Sequence, residues 1–359
     1  MRIAMVNNSR GWGGAEEIML LLATRLQEQG HHVGVFLRDG SSTVAKFQGT
    51  GLAVWPIKRD GAGVIGGVAR MLRIVRQERF DLIHAHRNHD LVVAKLAALA
   101  AGTPLLLTQH CQLGKTSSLF INLPNKVVAV SQFIGSDMVA RYPSLAGKLQ
   151  VIHNGIDLRP FMNPRPRYWA NIPEVAGASP LLGVVGYFYK NQEELIDLLP
   201  RIRESLPKVK LIIIGKDDAK KPALEERARE RGVTDAVYFA GKIPYEQMPD
   251  ALAGLDFNVS AFRREGCALN VIEALAVGTP FVGYRAGSYP ELVEDGVTGA
   301  LADDQDSFVR AVAVLCERPE CRKPMREDAR KSALARFAVE TMLHRYENLY
   351  QKIAGDGAV

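Results

Sequence analysis

The sequence predicts two doubly wound α/β domains, each built on a parallel β-sheet. Three observations indicate this fold class. The length of 359 residues is typical of two domains rather than one. Short β-branched or apolar runs recur at intervals of roughly 20 to 30 residues, with amphipathic helical stretches between them. This alternation breaks once, in a stretch rich in Pro, Gly and Ser, and then restarts.

The first half of the chain contains seven predicted strands and four predicted helices. The strands lie at residues 2–7, 32–37, 53–57, 82–85, 105–108, 127–130 and 150–152. The helices lie at residues 15–29, 64–77, 90–101 and 132–142. Strands separated by a helix cannot form hairpins, so they imply right-handed crossovers and a parallel sheet.

The second half repeats this pattern after a predicted linker at residues 163–167 and 176–180. Its strands lie at 181–185, 210–214, 237–240, 257–260 and 281–284, and its helices at 192–206, 222–231, 245–253 and 269–276. Two closing helices lie at about 306–317 and 339–353. We therefore expect Rossmann-like domains at 1–160 and 175–338. The last helix could pack back on the first domain, and the ligand edges of the two sheets are expected to face a central cleft.

Composition excludes several classes of protein. With 47% hydrophobic and 23% charged residues, the chain is neither disordered nor collagen-like nor a coiled coil. No apolar run approaches the ~20 residues of a membrane-spanning helix, and the N-terminus does not resemble a signal peptide. We expect a cytoplasmic protein that could lie on the inner face of the cytoplasmic membrane. The four cysteines are expected to be reduced: Cys111, Cys267, Cys316 and Cys321.

Positive charge is concentrated in the first half. Residues 1–150 carry 17 Lys and Arg against 9 Asp and Glu, a net charge of +8, whereas the remainder carries 28 against 30, a net charge of −2. The predicted helix at 64–79 has apolar residues on one side and a band of arginines on the other: Arg70, Arg73, Arg76 and Arg79. This band could contact an anionic membrane or an anionic glycolipid acceptor. Nucleic acid is not expected, because no recognised binding module accompanies the charge.

The most informative stretch runs from residue 265 to 280. A strand ends near Ser260, a loop carries Glu265 and Gly266, and a helix begins near Ala268. A helix N-terminus behind a glycine-containing loop can bind phosphate oxygens. Glu265 could accept hydrogen bonds from sugar hydroxyls, and Glu273 could bind a ribose diol. Alternatively, Glu273 simply faces solvent.

This stretch resembles the retaining glycosyltransferases of family 4, which have the GT-B fold. The resemblance rests on the Glu-x7-Glu spacing of Glu265 and Glu273, on the continuation Glu-Ala-Leu-Ala-x-Gly-x-Pro, and on the segment from Gly287 to Gly299. Three further motifs extend the resemblance across most of the chain: Gly13-Gly14-Ala15, His110 and His153-Asn154-Gly155-Ile156-Asp157.

The resemblance implies a role for each matching residue. Glu265 would contact the donor sugar, Glu273 the ribose and Lys190 the diphosphate, while His110 would line the reacting face. The expected catalytic residues are therefore His110, Lys190 and Glu265. The expected donor-binding residues are Gly13, Gly14, Gly186, Lys190, Glu265, Gly266, Cys267, Ala268, Leu269 and Glu273. Tyr187 stands where the family usually has an arginine, so binding of the diphosphate could differ here.

Structural interpretations of the same residues remain open. His110 could be a structural histidine at a strand end, Gly13-Gly14 a tight turn, and Lys190 a solvated surface lysine. His84 and His86 should lie on one side of the sheet, but no Asp or Cys follows at ligand spacing, so no metal is expected. The segment Asp304-Gln305-Asp306 is interpreted as solvated charge.

We expect a retaining glycosyltransferase that transfers a hexose or heptose from a nucleotide-diphosphate sugar. The acceptor would be a lipid-linked or cell-envelope glycan of the lipopolysaccharide or polysaccharide kind, and no metal or other cofactor would be required. Two alternatives stay open: a nucleotide-sugar epimerase or phosphorylase on the same fold, and a catalytically silent lipid-binding partner subunit, which Tyr187 favours. The sequence Gly11-Trp12-Gly13-Gly14 lacks the spacing of dinucleotide-binding dehydrogenases.

Overall fold

The computed structural model describes residues 1–58, 63–114 and 120–356. The chain forms two compact units. The first consists of Met1–Ile156 with the C-terminal segment from Val339, and the second of Asp157–Ala338. Each unit has a parallel sheet with Rossmann-like connections, which confirms the predicted fold class. Within the described residues, no helix combines the length and apolar character needed to cross a bilayer.

The first unit contains a seven-stranded sheet in the order β3-β2-β1-β4-β5-β6-β7. The strands are β1 Arg2–Asn7, β2 His32–Arg38, β3 Ala53–Ile57, β4 Leu82–Ala85, β5 Leu105–Gln109, β6 Lys126–Ala129 and β7 Leu149–Val151. The helices are α1 Gly14–Glu28, α2 Ser42–Gln48, α3 Gly63–Glu78, α4 Leu91–Ala101 and α5 Gln132–Arg141. The strand order reverses between β1 and β4, which is the position where open α/β sheets bind ligands.

The first strand shows why a parallel sheet forms. Residues Ile3 to Val6 are apolar without alternation, and all are buried, because helices cover both faces of such a sheet. Helix ends are set locally: α4 stops at Gly102 in the left-handed region, with φ of 65°. The hydroxyl of Ser131 caps α5 by accepting from the Ile134 amide at 3.2 Å.

The second unit contains a six-stranded sheet in the order β10-β9-β8-β11-β12-β13. Its strands are β8 Leu181–Val185, β9 Lys210–Ile214, β10 Val237–Gly241, β11 Phe257–Ser260, β12 Phe281–Tyr284 and β13 Gly299–Ala302. Its helices are α6 Gln192–Ser205, α7 Lys221–Glu230, α8 Met248–Ala253, α9 Leu269–Ala276, α10 Tyr289–Leu292, α11 Gln305–Glu317 and α12 Pro319–Arg336. Here the strand order reverses between β8 and β11.

Two segments of the second unit make contacts that the sequence interpretation did not foresee. The predicted linker lies near ordered 3-10 turns in which Phe161 and Trp169 are buried, and the Trp169 indole donates to the Ala251 carbonyl at 2.7 Å. The stretch therefore packs on the second unit. The segment Asp304-Gln305-Asp306 is exposed, as expected for solvated charge, and Asp304 also caps α11 by accepting from the Ser307 amide at 2.7 Å.

The closing helix α13, Val339–Asp356, belongs to the first unit. Its buried Tyr346 and Tyr350 reach the middle of that unit's sheet. The Tyr346 hydroxyl lies 3.0 Å from Thr108 Oγ1, and the Tyr350 hydroxyl lies 2.8 Å from His84 Nδ1. The last helix of the chain thus completes the core of the first unit.

Candidate functional site

Two loops meet where the strand order of the second unit reverses. The loop after β8 carries Lys190 and the loop after β11 carries Glu265, and their side chains form an ion pair with Nζ 2.6 Å from Oε2. Both side chains are largely withdrawn from solvent, at 19% and 15% exposure. The structure therefore brings together two of the residues selected from the sequence, one from each side of the reversal point.

The loop after β8 is held in a fixed shape. The buried Gln192 donates to the Tyr187 carbonyl at 2.8 Å and accepts from the Lys190 amide at 3.0 Å. Gly186 has a φ of 146°, and Gly215 at the end of β9 has a φ of 145°. A Cβ on Gly215 would lie 2.2 Å from the Gly186 carbonyl oxygen. Glycine is therefore required where these strand ends touch.

The loop that carries Glu265 is fixed by the segment after β12. The Ser288 amide donates to the Glu265 carbonyl at 3.0 Å. Gly287 has a φ of 59°, and a Cβ there would lie 2.9 Å from the Glu265 amide nitrogen. The Tyr289 hydroxyl donates to Ser260 Oγ at 2.8 Å, and burial raises the pKa of this phenol. The segment from Gly287 to Tyr289 thus supports the strand end and the loop.

Helix α9 begins directly after this loop. Gly266, Cys267 and Ala268 are buried, and the N-cap residue Ala268 has no side chain that can cap the first amides of the helix. Asn270 Nδ2 donates to the Val185 carbonyl at 3.2 Å, which ties the start of α9 to the end of β8. Glu273 lies half-buried on the same helix. The positive end of the α9 dipole therefore lies at the edge that holds Lys190 and Glu265.

A second polar cluster anchors the same loop, and the sequence reasoning missed it. Arg263 donates from both terminal nitrogens to Glu194 on α6, at 2.7 and 2.8 Å. The Tyr284 hydroxyl also donates to Glu194, at 2.7 Å. Burial alone would raise the pKa of Glu194, but hydrogen bonds from Arg263, Tyr284 and Gln305 hold it below its ordinary value. This anionic carboxylate fixes Arg263, two residues before Glu265.

Tyr187 forms part of an exposed aromatic pair. Its ring stacks on that of Tyr189, with centroids 5.9 Å apart and planes at 9°. Phe262 lies edge-on to Tyr189 at 6.3 Å. The phenols offer hydrogen bonds and aromatic surface at this edge but no positive charge.

The first unit holds a cluster of three histidines at the ends of β4 and β5. His110 Nε2 lies 3.3 Å from His86 Nδ1, and the rings of His84 and His86 are 4.1 Å apart. Burial, reinforced by Arg87, lowers the pKa of His110 to about 3. Burial together with His110 lowers the pKa of His84 to about 3 as well. These rings are neutral near pH 7, and His110 Nδ1 has no hydrogen-bond partner among the described residues.

A buried carboxylate lies where the strand order of the first unit reverses. Glu16 Oε1 accepts from Asn7 Nδ2 at 3.1 Å, and from Arg87 Nε at 3.2 Å and Nη2 at 3.0 Å. Neither Glu16 nor Arg87 was selected from the sequence. The sequence does contain one indication that Glu16 is buried. It lies on the same face of the predicted helix as the apolar Met19 and Leu26, which are buried.

The glycine-rich segment of the first unit leads into α1. Gly13 is the extended residue before the helix, and Gly14 is the first helical residue. A Cβ on Gly13 would make only an ordinary contact, 3.5 Å from Glu16 Oε2. No group of three or more His, Cys, Asp or Glu within the described part of the chain could hold a metal ion. Cys111, Cys267 and Cys316 are free thiols, and the Cys321 side chain lies outside the described part of the chain.

Comparison with known protein families identifies the class of protein. A family model described as "Glycosyl transferases group 1" matches residues 177–332. A second model, "Glycosyltransferase Family 4", matches residues 12–159. The two models together span most of both units. The chain is a GT-B glycosyltransferase of the family 4 kind.

Individual relatives agree with this class. The chain is 26% identical to D-inositol 3-phosphate glycosyltransferase 2 of Catenulispora acidiphila, over 96% of this chain and 91% of that enzyme. Two solved structures share the fold. Anabaena HepE in complex with UDP has a TM-score of 0.88 and 22% identity, covering 98% of this chain and 100% of HepE. The lipopolysaccharide outer core galactosyltransferase WaaB has a TM-score of 0.78 and 17% identity, with coverage of 98% and 100%.

Proposed function

We propose that this protein is a retaining glycosyltransferase that moves a hexose or heptose from a nucleotide-diphosphate sugar to a lipid-linked or cell-envelope glycan. The observation that carries the proposal is the Lys190–Glu265 ion pair, which joins the loops after β8 and β11 beside the start of α9. A cation, a carboxylate and a helix N-terminus at one edge suit a donor that combines a diphosphate with a sugar.

Each group has a chemical task in this proposal. Lys190 and the first amides of α9 stabilise the negative charge that develops on the departing diphosphate. Glu265 accepts hydrogen bonds from the donor sugar, and Glu273 accepts them from the ribose. The bond between the anomeric carbon and the diphosphate oxygen breaks, and the acceptor oxygen bonds to the same face of that carbon. Because attack and departure occur on the same face, the configuration is retained, and the acceptor's proton passes to the leaving phosphate.

The first unit carries further residues that we propose for the reaction. His110 is a neutral ring whose Nδ1 can exchange a hydrogen bond with a sugar hydroxyl. Gly13 and Gly14 leave the backbone at the start of α1 accessible to a donor oxygen. Tyr187 would contact the diphosphate through its hydroxyl, which supplies less charge than the family's arginine.

The acceptor is proposed to be anionic. The net charge of +8 in residues 1–150 supports this. So do the names of two relatives, one acting on D-inositol 3-phosphate and one on the lipopolysaccharide outer core. We also propose peripheral contact with an anionic membrane, on the inner face of the cytoplasmic membrane. This contact would use the exposed Arg70, Arg73 and Arg76 of α3 and Arg79, which directly follows the helix.

The test is to incubate the protein with UDP-, GDP- and ADP-sugars and to follow nucleoside diphosphate release with and without a lipid-linked acceptor extract. A transferase releases the diphosphate only when the acceptor is present, and NMR of the product gives its anomeric configuration. Glu265→Gln should abolish release, whereas Glu320→Gln, an exposed control on α12, should not. Sugar interconversion without release would indicate an epimerase, and dependence on free phosphate a phosphorylase. No turnover or donor binding would contradict the proposal.

A further inference from the structure

The ring of His86 meets the ring of His110 edge to edge in the first unit. His86 Nδ1 lies 3.3 Å from His110 Nε2, and the ring centroids are 5.6 Å apart with the planes at 18°. This centroid distance is close to the nitrogen–nitrogen distance plus the two ring radii. The two nitrogens therefore lie on the line between nearly coplanar rings, which is the geometry of an N–H···N hydrogen bond rather than of face-to-face stacking.

The His86 ring is held in place by its surroundings. The residue is buried, at 1% exposure, and the ring of His84 packs against it with centroids 4.1 Å apart. Both nitrogens of His84 are engaged in turn. Its Nδ1 lies 2.8 Å from the Tyr350 hydroxyl and its Nε2 lies 2.7 Å from Thr108 Oγ1. A fixed His86 ring therefore presents a fixed partner to His110.

Only one of the two rings donates in this hydrogen bond. Burial lowers the pKa of His86 well below its ordinary value and that of His110 to about 3, so each neutral ring carries one proton. If His110 donated, the His86 proton would sit on Nε2, a buried atom without a hydrogen-bond partner among the described residues. An unpartnered buried N–H is costly.

The opposite assignment leaves the unpartnered proton where a ligand can meet it. If His86 Nδ1 donates, His86 Nε2 is a bare lone pair and the His110 proton sits on Nδ1. His110 is only partly buried and directly follows β5, at the edge of the sheet where ligands bind. Its Nδ1 has no hydrogen-bond partner in the described part of the chain. A substrate oxygen at this edge would satisfy that proton.

We infer that His86 is a positioning residue, whose Nδ1–H donates to His110 Nε2 and so keeps the His110 proton on Nδ1. The inference rests on the proposed function and deepens it, because His110 then donates a hydrogen bond to a hydroxyl oxygen of the donor sugar. In this tautomer Nδ1 has no lone pair for a proton and Nε2 is occupied by His86. His110 therefore does not take up the acceptor's proton, in agreement with the proposed transfer of that proton to the leaving phosphate.

NMR of the full chain measures the tautomer directly. Long-range proton–nitrogen correlation on protein labelled with nitrogen-15 histidine distinguishes protonated from unprotonated ring nitrogens. The chain has eight histidines, and the signals lost in His110→Asn identify His110. Near pH 7 we expect a protonated Nδ1 and an unprotonated Nε2 in His110 of the ligand-free protein. A proton on His110 Nε2 would refute the inference.

Two variants of His86 separate hydrogen-bond donation from packing. Asn offers an amide donor close to the position of imidazole Nδ1, whereas Leu has a similar shape and no donor. His86→Leu should weaken binding of a nucleotide sugar about fivefold, because only a minority of His110 then carries its proton on Nδ1. His86→Asn should keep wild-type affinity. Titration calorimetry with UDP-glucose, GDP-mannose and ADP-glucose measures the effect on whichever donor the wild type binds.

The nucleoside diphosphate without its sugar provides the control ligand. Its affinity should be the same in wild type and both variants, because His110 is expected to contact the sugar. Equal losses of nucleotide-sugar affinity in His86→Asn and His86→Leu would show a packing role and refute the inference. A loss that also appears with the nucleoside diphosphate would refute it too.

Separate readouts keep this inference distinct from the proposed function. A wild-type protein that binds no nucleotide sugar would contradict the transferase, whereas the NMR spectrum would still decide which nitrogen of His110 carries the proton. If His86→Leu does not fold, the spectra of the wild type and of His86→Asn decide in the same way. Both should show the His110 proton on Nδ1.

Discussion

Lys190 and Glu265 depend on each other for their position and their charge. Each is more than four-fifths withdrawn from solvent, and the ion pair between them is short at 2.6 Å. Burying a charged group without a partner costs folding free energy. Each of the two side chains therefore stabilises the other in its position. A diphosphate entering this edge can share the ammonium group while the carboxylate remains available to sugar hydroxyls.

Replacement of Lys190 by Gln is expected to weaken nucleoside diphosphate binding by roughly 10- to 100-fold. This is the loss of affinity expected when one charge-assisted hydrogen bond is removed. Titration calorimetry with UDP, GDP and ADP measures the effect on whichever nucleotide the wild type binds. Lys331→Gln, at an exposed position on α12, serves as the control. Equal affinity in wild type and Lys190→Gln would remove Lys190 from the donor site.

Glu16 is expected to be a stability determinant of the first unit. The substitution Glu16→Ala leaves Asn7 and Arg87 without their shared acceptor and should lower the free energy of unfolding by about 2–3 kcal/mol. This loss is smaller than for a fully buried ion pair because Arg87 is partly exposed. Its exposed neighbour provides a control, since Glu17→Ala removes only a surface contact with Trp12. Calorimetric unfolding of both variants gives the comparison, and equal stabilities would refute this role.

The sequence was informative for residues that carry a spaced motif. Glu265 and Lys190 could be selected because glycines and helix starts mark their surroundings. Gln192, Arg263 and Glu194 could not, because each acts through partners that only the folded loops bring close. Glu194 and Arg263, for example, are 69 positions apart in the chain.

At the scale of elements, the ends of β8 and β9 approach so closely that side chains are excluded. The carbonyl of Gly186 occupies the space beside Gly215, and both residues have φ values near the upper limit of the left-handed region. The strand ends thereby fix where the loop carrying Lys190 begins.

Gly215→Ala should therefore destabilise the second unit by about 2–4 kcal/mol, because it adds a steric clash to backbone strain. Gly232→Ala is the matched control. Gly232 also has positive φ, of 65°, but a Cβ at this position would have no neighbour within 4 Å, so the substitution should cost only about 1 kcal/mol. Thermal unfolding of the two variants measures the difference. Similar losses of stability in the two variants would show that backbone strain alone, without the steric clash, accounts for the effect at Gly215.

Elements with strong periodicity were predictable, and short or interrupted ones were not. Helices α1, α6 and α9 lie within a residue or two of their predicted positions. Strand β13 has four residues, and α12 begins with one proline and contains another, so their patterns are weak. The predicted linker segments at 163–167 and 176–180 flank the buried Trp169 and follow the buried Phe161, and their proline and glycine pattern does not indicate this anchoring.

In the molecule as a whole, the last helix, α13, packs in the first unit rather than in the second unit that precedes it along the chain. Tyr346 and Thr108 are 238 positions apart, yet their hydroxyls lie 3.0 Å from each other. Local sequence patterns predict α13 as a helix but contain no information on such a distant partner. The buried network of His84, Thr108, Tyr346 and Tyr350 thus ties the end of the chain to the sheet.

The buried His84 and His110 should make the free energy of unfolding fall as the pH is lowered from about 6.5 towards 5. Folding lowers the pKa of His84 and His110 to about 3, so the unfolded chain takes up protons in this window while the folded chain does not. Stability therefore rises with pH there, by up to about 1.4 kcal/mol per pH unit for each histidine. Urea unfolding across the window tests this. His84→Gln should reduce the slope, whereas His344→Gln, at an exposed site on α13, should not. An unchanged slope in His84→Gln would contradict the burial argument.

The edge of the second unit formed by Lys190, Glu265 and the start of α9 is proposed to bind the nucleotide-sugar donor. A crystal structure of the protein with a bound nucleoside diphosphate, chosen as the tightest binder among UDP, GDP and ADP, tests it most directly. We expect a phosphate oxygen within hydrogen-bond distance of Lys190 Nζ and of the first amides of α9, with Glu273 on the ribose. A nucleotide bound elsewhere, with the Lys190–Glu265 pair untouched, would contradict it.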